Sequence, residues 1–388
     1  MNALDTLKAR GFFNQCTDEE GLREHLAVPR SFYIGFDPTA ESLHVGSLVQ
    51  LMAMAHLSRA GHHAIAVVGG GTAKIGDPSG RDSTRDFMDV ERLERNKQGI
   101  AAQIAKFCSG RMVDNADWLD ALGYIQVLRE IGRFFSVNEM IKTESVAQRL
   151  ERHQGMSFIE FNYVLLQSYD YLELFRRHGC TLQVGGGDQW YNIVSGMDLI
   201  RRVEGGKSFG LTTPLLTTAS GAKMGKTAAG AVWLDPARVS PYDYYQYWYN
   251  VDDRDIERFL KLFTFLPLDQ IAAAVAGEYR LAKRLLAREA TAVVHGAEAA
   301  DAAQAAALAA FSGGVSADMP TIRVSFPVSV VEALKLAQFA DSNSDARRAI
   351  QGGGVRIGDT PVADLRATMT EPGVLWGSKK RAVRVEPA

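Results

Sequence analysis

A short apolar strand followed by a helix limits the folds that this chain can adopt. The run 32–36, Phe-Tyr-Ile-Gly-Phe, is apolar as a buried parallel strand would be, and apolar residues recur at helical spacing over 48–55. The run 64–68, Ala-Ile-Ala-Val-Val, predicts a second parallel strand, which completes a right-handed βαβ unit. The sequence therefore predicts an α/β fold built on a Rossmann-like parallel sheet.

The start of this helix is the first candidate site. His44 and Gly46 lie where the helical pattern begins, and the free N–H groups and the helix dipole at such a position favour a phosphate. Gly46 would let a ligand approach closely, and the imidazole of His44 could donate to a phosphate oxygen. Alternatively, His44 only caps the helix and Gly46 is a turn residue.

Length and composition set the class of protein. With 388 residues and 46% hydrophobic content, the chain can bury large cores in two or three domains. No apolar run reaches membrane-spanning length and residues 1–10 lack the apolar core of a signal peptide, so we expect a soluble cytoplasmic protein with no membrane partner. Cys16, Cys108 and Cys180 are not spaced as metal ligands, so we expect neither disulfides nor a structural metal.

The charge of the chain is unevenly distributed. Basic residues outnumber acidic ones by three over residues 320–388, whereas acidic residues outnumber basic ones by five in the remainder. A basic tail on an acidic body favours a polyanionic partner for the tail. Because the excess is small, a solvated surface explains it equally well.

Polar residues follow the second predicted strand. It runs into the glycine corner 69–71, where an open α/β sheet normally places its ligand, although no dinucleotide fingerprint follows. Asp77 could hold an ammonium group there, and Arg81 and Arg85 could clamp phosphates. Asp77 could also be only a turn residue. The following residues, 90–155, are predicted to be mainly helical, with Trp118 covering the sheet.

Two further segments carry candidate ligand-binding residues. On the aromatic helix predicted over 158–175, Tyr163, Gln167 and Asp170 share one face, which is costly to bury unless a polar ligand or the core satisfies it. After the glycine corner 185–187, Asp188 and Gln189 could take ribose hydroxyls. Alternatively, Asp188 could cap the next helix.

The loop 223–227, Lys-Met-Gly-Lys-Thr, lies in a small-residue setting. Taken alone, two lysines on such a loop are most often a solvated turn. A loop that swings two ammonium groups onto a triphosphate would stabilise the charge that develops on a leaving group.

These segments together resemble a known family. Residues 44–47 and 223–227 resemble the two signatures of class I aminoacyl-tRNA synthetases, His-Ile-Gly-His and Lys-Met-Ser-Lys-Ser. Four more elements resemble the bacterial tyrosyl-tRNA synthetase family, namely 37–40 (Asp-Pro-Thr-Ala), 76–80 (Gly-Asp-Pro-Ser-Gly), the set Tyr163, Gln167 and Asp170, and 187–190 (Gly-Asp-Gln-Trp). The likeness spans essentially the whole chain in the expected order.

The resemblance implies roles for individual residues. Tyrosine would be bound by Tyr33, Asp77, Tyr163, Gln167, Asp170 and Gln189, with Tyr33 and Asp170 at the phenolic hydroxyl. ATP would be bound by Gly35, Asp37, His44, Gly46, Gly186, Asp188, Gln189 and Lys226. Groups that act on the phosphates would be His44, Ser47, Lys223, Lys226, Thr227, Arg81 and Arg85.

The resemblance also implies the reaction. The carboxylate of tyrosine attacks the α-phosphate of ATP, with Mg²⁺ alongside, and tyrosine then passes to the 3′ end of tRNA(Tyr) with release of AMP. The carboxylate is already ionised, so alignment and charge stabilisation suffice without a general base. The residues depart from the family at Ser47, Gly225 and Tyr191.

The resemblance divides the chain into three domains and implies a homodimer. The catalytic domain would cover 1–235 with a helical insertion over about 115–180, a helical tRNA-contacting domain 236–312, and an S4-like RNA-binding domain 321–388, in which Ser344 would cap a helix. Phe158 matches an apolar position of the dimer interface in the family, although a core role for Phe158 agrees equally well with the sequence. RNA would be bound by Arg347, Arg348, Arg356, Lys379, Lys380 and Arg381.

Two other functions stay open at this stage. A tryptophanyl-tRNA synthetase or small nucleotidyltransferase shares the first signature, although Tyr33 and Asp170 argue against tryptophan. A catalytically dead relative that binds RNA is the alternative from another class, which pyrophosphate exchange would separate from an active enzyme.

Overall fold

A computed structural model gives the arrangement of most of the chain. It describes residues 2–77, 89–108, 110–153, 155–219, 224, 226–227, 230–311, 319–358, 360–378 and 381–388. The strands are β1 (Gln15–Cys16), β2 (Ser31–Phe36), β3 (His63–Val68), β4 (Arg111–Asp114), β5 (Cys180–Gly186), β6 (Phe209–Thr213), β7 (Lys226–Thr227), β8 (Gly230–Ala231), β9 (Thr321–Val324), β10 (Val328–Ser329), β11 (Arg356–Ile357), β12 (Thr360–Pro361), β13 (Thr368–Met369), β14 (Gly373–Ser378) and β15 (Arg381–Pro387).

Helices connect and cover these strands. The α-helices are α1 (Ala3–Arg10), α2 (Glu19–His25), α3 (Val45–Arg59), α4 (Val90–Ile104), α5 (Ala116–Leu119), α6 (Tyr124–Gln126), α7 (Val137–Met140), α8 (Glu144–Glu151), α9 (Phe158–Phe161), α10 (Tyr163–His178), α11 (Trp190–Glu204), α12 (Pro241–Tyr249), α13 (Ile256–Phe263), α14 (Leu268–Ala276), α15 (Tyr279–His295), α16 (Ala297–Phe311), α17 (Val330–Leu336) and α18 (Asn343–Gln351). Short 3₁₀ turns lie at Thr72–Lys74, Gly132–Phe134, Gly187–Gln189 and Asp253–Asp255, and a π turn at Val127–Ile131. Within the described ranges, no helix combines the length and apolar character that a bilayer crossing requires.

The first sheet has the strand order β1-β6-β5-β2-β3-β4. All neighbours are parallel except β1, which runs antiparallel to β6. This confirms the predicted βαβ unit and the parallel sheet. Because β3 and β5 lie on opposite sides of β2, the order reverses between β2 and β5, and a crevice opens at the carboxyl ends of these two strands.

The chain forms two compact units. The first comprises residues 1–239 and 252–279, and the second comprises 240–251 and 280–388. The helices between residues 240 and 311 are therefore shared, since α13 and α14 belong to the first unit while α12 and α16 belong to the second.

The end of the second unit is a small α+β structure, as predicted. Its five-stranded sheet has the order β12-β11-β14-β15-β9. Helices α17 and α18 pack on it through a core that includes Leu334, Ile350 and Leu375. Its second helix begins two residues earlier than expected, because Ser342 rather than Ser344 accepts the N–H of Asp345 and caps it.

Two sequence expectations about the middle of the chain, the aromatic helix and the mainly helical stretch 90–155, are each met only in part. The aromatic helix is broken at Asn162 into α9 and α10, because the short α9 has its own cap: Ser157 and Glu160 bond each other's backbone N–H groups. The stretch 90–155 also contains strand β4, which pairs with β3. Only Met112 and Val113 of its four residues are apolar, between Arg111 and Asp114, so β4 lacks the apolar run that marks the other parallel strands.

Candidate active site

A cavity of about 480 Å³ lies at the carboxyl ends of β2 and β5. It brings together most of the predicted site residues, which come from elements far apart in sequence. Those that line it are Tyr33, Gly35, Asp37, His44, Gly46, Ser47, Asp77, Tyr163, Gln167, Asp170, Gly186, Asp188 and Gln189.

One end of the cavity is formed by Tyr33 and Asp170. Tyr33 lies in β2 and is 2% exposed, and within the described ranges its buried hydroxyl has no hydrogen-bond partner. Its ring packs against Tyr171, with ring centroids 5.2 Å apart. Burial, together with the nearby charge of Asp170, raises the pKa of Tyr33, so the hydroxyl keeps its proton and can both donate and accept.

Asp170 is held by two residues that the sequence did not indicate. Its Oδ2 accepts a hydrogen bond from Asn115 Nδ2 at 2.9 Å, and its Oδ1 accepts one from Trp118 Nε1 at 2.7 Å. Burial raises the pKa of Asp170 to about 7, although both hydrogen bonds lower it. Trp118 therefore orients a site carboxylate instead of simply covering the sheet.

The feature of the sequence that could have assigned Asn115 and Trp118 to the site is the strand that precedes them. Both follow β4 directly, at the edge of the sheet where β2 and β3 also end. Asn115 also accepts the N–H of Gly71 through Oδ1 at 2.8 Å and donates to Thr72 Oγ1 at 3.0 Å. It thus ties the glycine corner after β3 to the carboxylate of α10.

A chain of amides crosses the cavity floor. Gln167 Nε2 donates to Gln189 Oε1 at 3.2 Å, and Gln189 Nε2 donates to Asp77 Oδ2 at 2.8 Å. Asn192, which the sequence did not single out, donates to Gln167 Oε1 at 3.1 Å and to Gln189 Oε1 at 3.2 Å. These bonds fix the amide orientations, so that oxygens of Asp77 and of both glutamines converge.

Tyr163 and Asp37 connect this floor to the end of β2. The hydroxyl of Tyr163 donates to Asp37 Oδ2 at 3.4 Å, and Thr72 Oγ1 donates to Asp37 Oδ1 at 3.0 Å. Burial, and then the charges of Asp37 and Asp77, raise the pKa of Tyr163, which therefore remains a donor at neutral pH.

His44 occupies the helix start that the sequence predicted. It is the N-cap of α3, and its Nδ1 accepts the N–H of Gly46 at 2.9 Å. The neutral tautomer that fits this bond carries its proton on Nε2, so the outer nitrogen is a donor. The capping interpretation of His44 is therefore confirmed, and its contact with a phosphate stays a prediction.

The glycine positions give the cavity its room. A Cβ on Gly186 would clash with the carboxylate of Asp188, whereas one on Gly35 would meet no atom within 4 Å because this residue opens onto the cavity.

Asp188 does not cap the next helix, contrary to one expectation, since α11 is preceded by Gln189 and has no side-chain cap. Its exposed carboxylate faces the cavity instead.

Several predicted residues lie wholly or partly outside the described chain. Arg81, Arg85 and Lys223 are not described, and of Lys226 and Thr227 only the backbone is, in the antiparallel pair β7–β8. Met224, from the same segment, lines the cavity. In the described residues, no cluster of three histidine, cysteine or acidic side chains could hold a metal ion.

The predicted RNA-binding residues lie in the second unit. Arg347 and Arg348 are exposed on α18, where Arg348 pairs with Asp345 at 3.5 Å. Arg356 stacks over the ring of Trp376, 4.9 Å from its centroid, and Arg381 is exposed at the start of β15. Lys379 and Lys380 lie outside the described residues.

Comparisons with known proteins agree on one family. The family described as tRNA synthetases class I (W and Y) matches residues 27–312. A tyrosine–tRNA ligase of Xanthobacter autotrophicus is 50% identical over 407 aligned positions, covering 99% of this chain and 97% of that protein. One of Clostridium botulinum is 48% identical over 96% of this chain and 95% of that protein. A C-terminally truncated mitochondrial tyrosyl-tRNA synthetase of Aspergillus nidulans superposes with a TM-score of 0.72 at 29% identity, over 78% of this chain and 92% of that structure.

Replacing Trp118 by phenylalanine tests the balance at Asp170. The substitution deletes an N–H that lowers the pKa of Asp170 from its value of about 7. We expect the pKa to rise by about one to two pH units, the equivalent of one hydrogen bond to a charged group. Carboxyl ¹³C NMR titration would measure it. As a control, Tyr171→Phe removes a buried hydrogen bond from the same helix to the carbonyl of Phe209 and should leave this pKa in place. An unchanged or lowered pKa in Trp118→Phe would refute the role given to the indole.

Proposed function

The chain belongs to the class I tRNA synthetases for tryptophan and tyrosine, and on that premise we propose how its cavity ligates tyrosine to tRNA. The enzyme activates L-tyrosine with ATP to tyrosyl-adenylate and pyrophosphate, and then transfers the tyrosyl group to the 3′ end of tRNA(Tyr) with release of AMP. The observation that carries the choice of tyrosine is the pairing of two buried polar groups, Tyr33 and Asp170, at the closed end of the cavity.

The phenolic hydroxyl of the substrate would bind between these two groups. It can donate to the Asp170 carboxylate and accept from the hydroxyl of Tyr33, which has no hydrogen-bond partner among the described residues. Phenylalanine would leave the buried Tyr33 hydroxyl without the substrate's hydroxyl and would limit Asp170 to its bonds from Asn115 and Trp118, which costs free energy of binding. A tryptophan side chain offers no hydroxyl either, so the same pair favours tyrosine over both.

The α-ammonium group would bind to the amide floor. The oxygens of Asp77 and Gln167 converge there, and Gln189 bridges them. Tyr163 also lines the cavity, where its hydroxyl donates a hydrogen bond to Asp37. An ammonium group has three donors and no acceptor, so a floor of carboxylate and amide oxygens complements it.

ATP would lie along the other side of the cavity. The outer nitrogen of His44, the backbone of Gly46 and Ser47 line the phosphate side, and Gly35, Gly186 and Asp188 line the nucleoside side. Lys223, Lys226, Thr227, Arg81 and Arg85 would close on the pyrophosphate. No base is needed, because the attacking carboxylate is already ionised.

Mg²⁺ would enter with the phosphates of ATP and neutralise part of their charge. The carboxylates of Asp37 and Asp188 line the cavity and are the kind of oxygen ligand that Mg²⁺ takes together with phosphate oxygens. We place the reaction in the cytoplasm, where ATP and tRNA are available.

Exchange of pyrophosphate into ATP tests this proposal. We expect exchange with tyrosine alone among the twenty amino acids, and none for Asp170→Ala. In Tyr33→Phe the kcat/KM for tyrosine should fall roughly tenfold, the equivalent of one hydrogen bond. The stability of Tyr33→Phe should not decrease, because the Tyr33 hydroxyl bonds to no residue in the described part of the chain. Exchange with tryptophan would move the assignment to that amino acid, and no exchange from folded protein would leave only RNA binding.

The chain would act as a homodimer through the helical segment between β4 and β5. Eight exposed large apolar residues of the described chain lie in this segment, namely Tyr124, Ile125, Leu128, Val137, Ile141, Leu150, Phe158 and Ile159. Phe158 is 65% exposed in the isolated chain. Such a concentration of exposed apolar side chains is typical of a protein–protein interface.

Phe158→Glu should convert the dimer into monomers, because it places a charge in an apolar interface. Light scattering coupled to gel filtration would measure the mass. Leu336→Glu is the matched control, since Leu336 is also about half exposed, at 52%, but lies on α17. A monomeric native protein, or an unchanged dimer in Phe158→Glu, would contradict the proposed interface.

The second unit would bind tRNA. We propose that the chain has a catalytic domain over 1–235, a helical domain over 236–312 and an S4-like domain over 321–388. Exposed Arg347, Arg348 and Arg381, with Arg356 stacked on Trp376, offer cations for backbone phosphates.

Replacing both Arg347 and Arg348 by alanine should weaken tRNA binding at every salt concentration. The slope of log affinity against log salt concentration should become less steep by about one to two. Filter binding from about 50 to 200 mM salt would measure this. Tyrosine-dependent exchange without tRNA serves as the control and should not change. Equal affinity and slope in variant and native protein would remove these arginines from the RNA site.

A further inference from the structure

Helix α4 holds the loop that connects β2 to α3. Asn96, Gly99 and Gln103 lie at i, i+3 and i+7 of this helix, on the face that meets the loop. Asn96 Nδ2 donates to the carbonyl of Pro38 at 2.9 Å. A Cβ on Gly99 would overlap the carbonyl oxygen of Glu41, so helix and loop are in direct backbone contact at that point.

Gln103 and Ser42 form the inner part of this contact, and both are buried. Gln103 Oε1 accepts the N–H of Leu43 at 2.8 Å, and Gln103 Nε2 donates to Ser42 Oγ at 3.0 Å. Ser42 Oγ in turn donates to the carbonyl of Leu43 at 2.7 Å. The side-chain amide of Gln103 thus bonds both residues that precede His44, Leu43 through its oxygen and Ser42 through its nitrogen.

The same hydroxyl reaches the segment that follows β8. The N–H of Asp235 donates to Ser42 Oγ at 3.2 Å, and the N–H of Leu234 donates to the carbonyl of Leu43 at 2.9 Å. His44 forms an isolated antiparallel bridge with Trp233. Ser42 is therefore the junction of three segments: α4, the start of α3 and residues 232–235.

Two of these segments adjoin the groups that would act on the phosphates. His44 is next in sequence to the bonded Leu43, and residues 232–235 directly follow the hairpin β7–β8 that begins at Lys226. Small errors in the placement of such groups reduce the rate of a reaction that depends on alignment.

Resting on the proposed function, we infer that Ser42 and Gln103 are positioning residues of tyrosine activation. Their hydrogen bonds hold the His44 corner and the 232–235 segment in one register. Groups on these two segments can then contact the triphosphate at the same time. The bonds of Ser42 and Gln103 run to Leu43, Asp235 and each other, and none of them goes to a residue that would bind tyrosine. The network should therefore affect the rate of activation more than the binding of tyrosine.

Steady-state exchange with Ser42→Ala, Gln103→Met and the double variant tests this inference. We expect each single variant to lower kcat about tenfold while the KM for tyrosine stays within about twofold. The double variant should be no worse than the poorer single variant, because residues of one network do not act additively. Thr264→Val is the matched control. Its buried hydroxyl also donates one hydrogen bond, to the carbonyl of Leu260, and accepts one, from the N–H of Leu266. Thr264 lies away from the cavity.

Three results would overturn the inference: losses in kcat no larger than in Thr264→Val, losses that multiply in the double variant, or a KM for tyrosine that rises as kcat falls. Native enzyme is assayed in parallel, so failure of the native exchange would count against the proposed function alone. Hydrogen exchange then tests the network independently, since Ser42→Ala should speed exchange at the amides of Leu234 and Asp235 relative to Thr264→Val. Unchanged exchange there would refute the junction.

Discussion

The strand order of the first sheet is the constraint on which the cavity depends. β2 lies between β3 and β5, so the connections that follow these strands diverge and leave a crevice at their carboxyl ends. Asp37 follows β2, Asn115 follows β4, and Asp188 follows β5. A single topological feature therefore gathers polar residues from widely separated parts of the chain, and α10 completes the site from one side with Tyr163, Gln167 and Asp170.

The buried carboxyl group of Asp170 shows what this arrangement costs. A carboxylate in the apolar surroundings of Tyr33 and Tyr171 loses its hydration, which is a penalty of several kcal/mol before compensation. Asn115 and Trp118 offset only part of it, since the pKa still stands at about 7. Folding alone does not account for such a group. It is expected where a bound ligand supplies the remaining hydrogen bond.

The sequence predicted the parts of this site that depend on local spacing. The cap of α3 involves residues two apart, His44 and Gly46, and the polar face of α10 follows from helical periodicity. The bonds from Asn115 and Trp118 to Asp170 span more than 50 residues, and no local pattern encodes them. They were also hidden because β4 has only four residues, with a charged residue at each end, so the sequence pattern does not separate this strand from the helices around it.

The two sides of the cavity are built differently, and this bears on how the site can respond to its ligands. Tyr33, Tyr171 and Trp118 belong to one apolar cluster, so the closed end can move only by breaking core packing. The His44 corner and residues 232–235 are joined instead by a few hydrogen bonds, two between backbone groups and one from Asp235 to Ser42 Oγ, each of which contributes little net free energy. A rigid end suits discrimination between side chains that differ by one hydroxyl. A side held by a small number of polar bonds can adjust to a triphosphate at low cost and still return to one register, because the same few bonds re-form between the same partners.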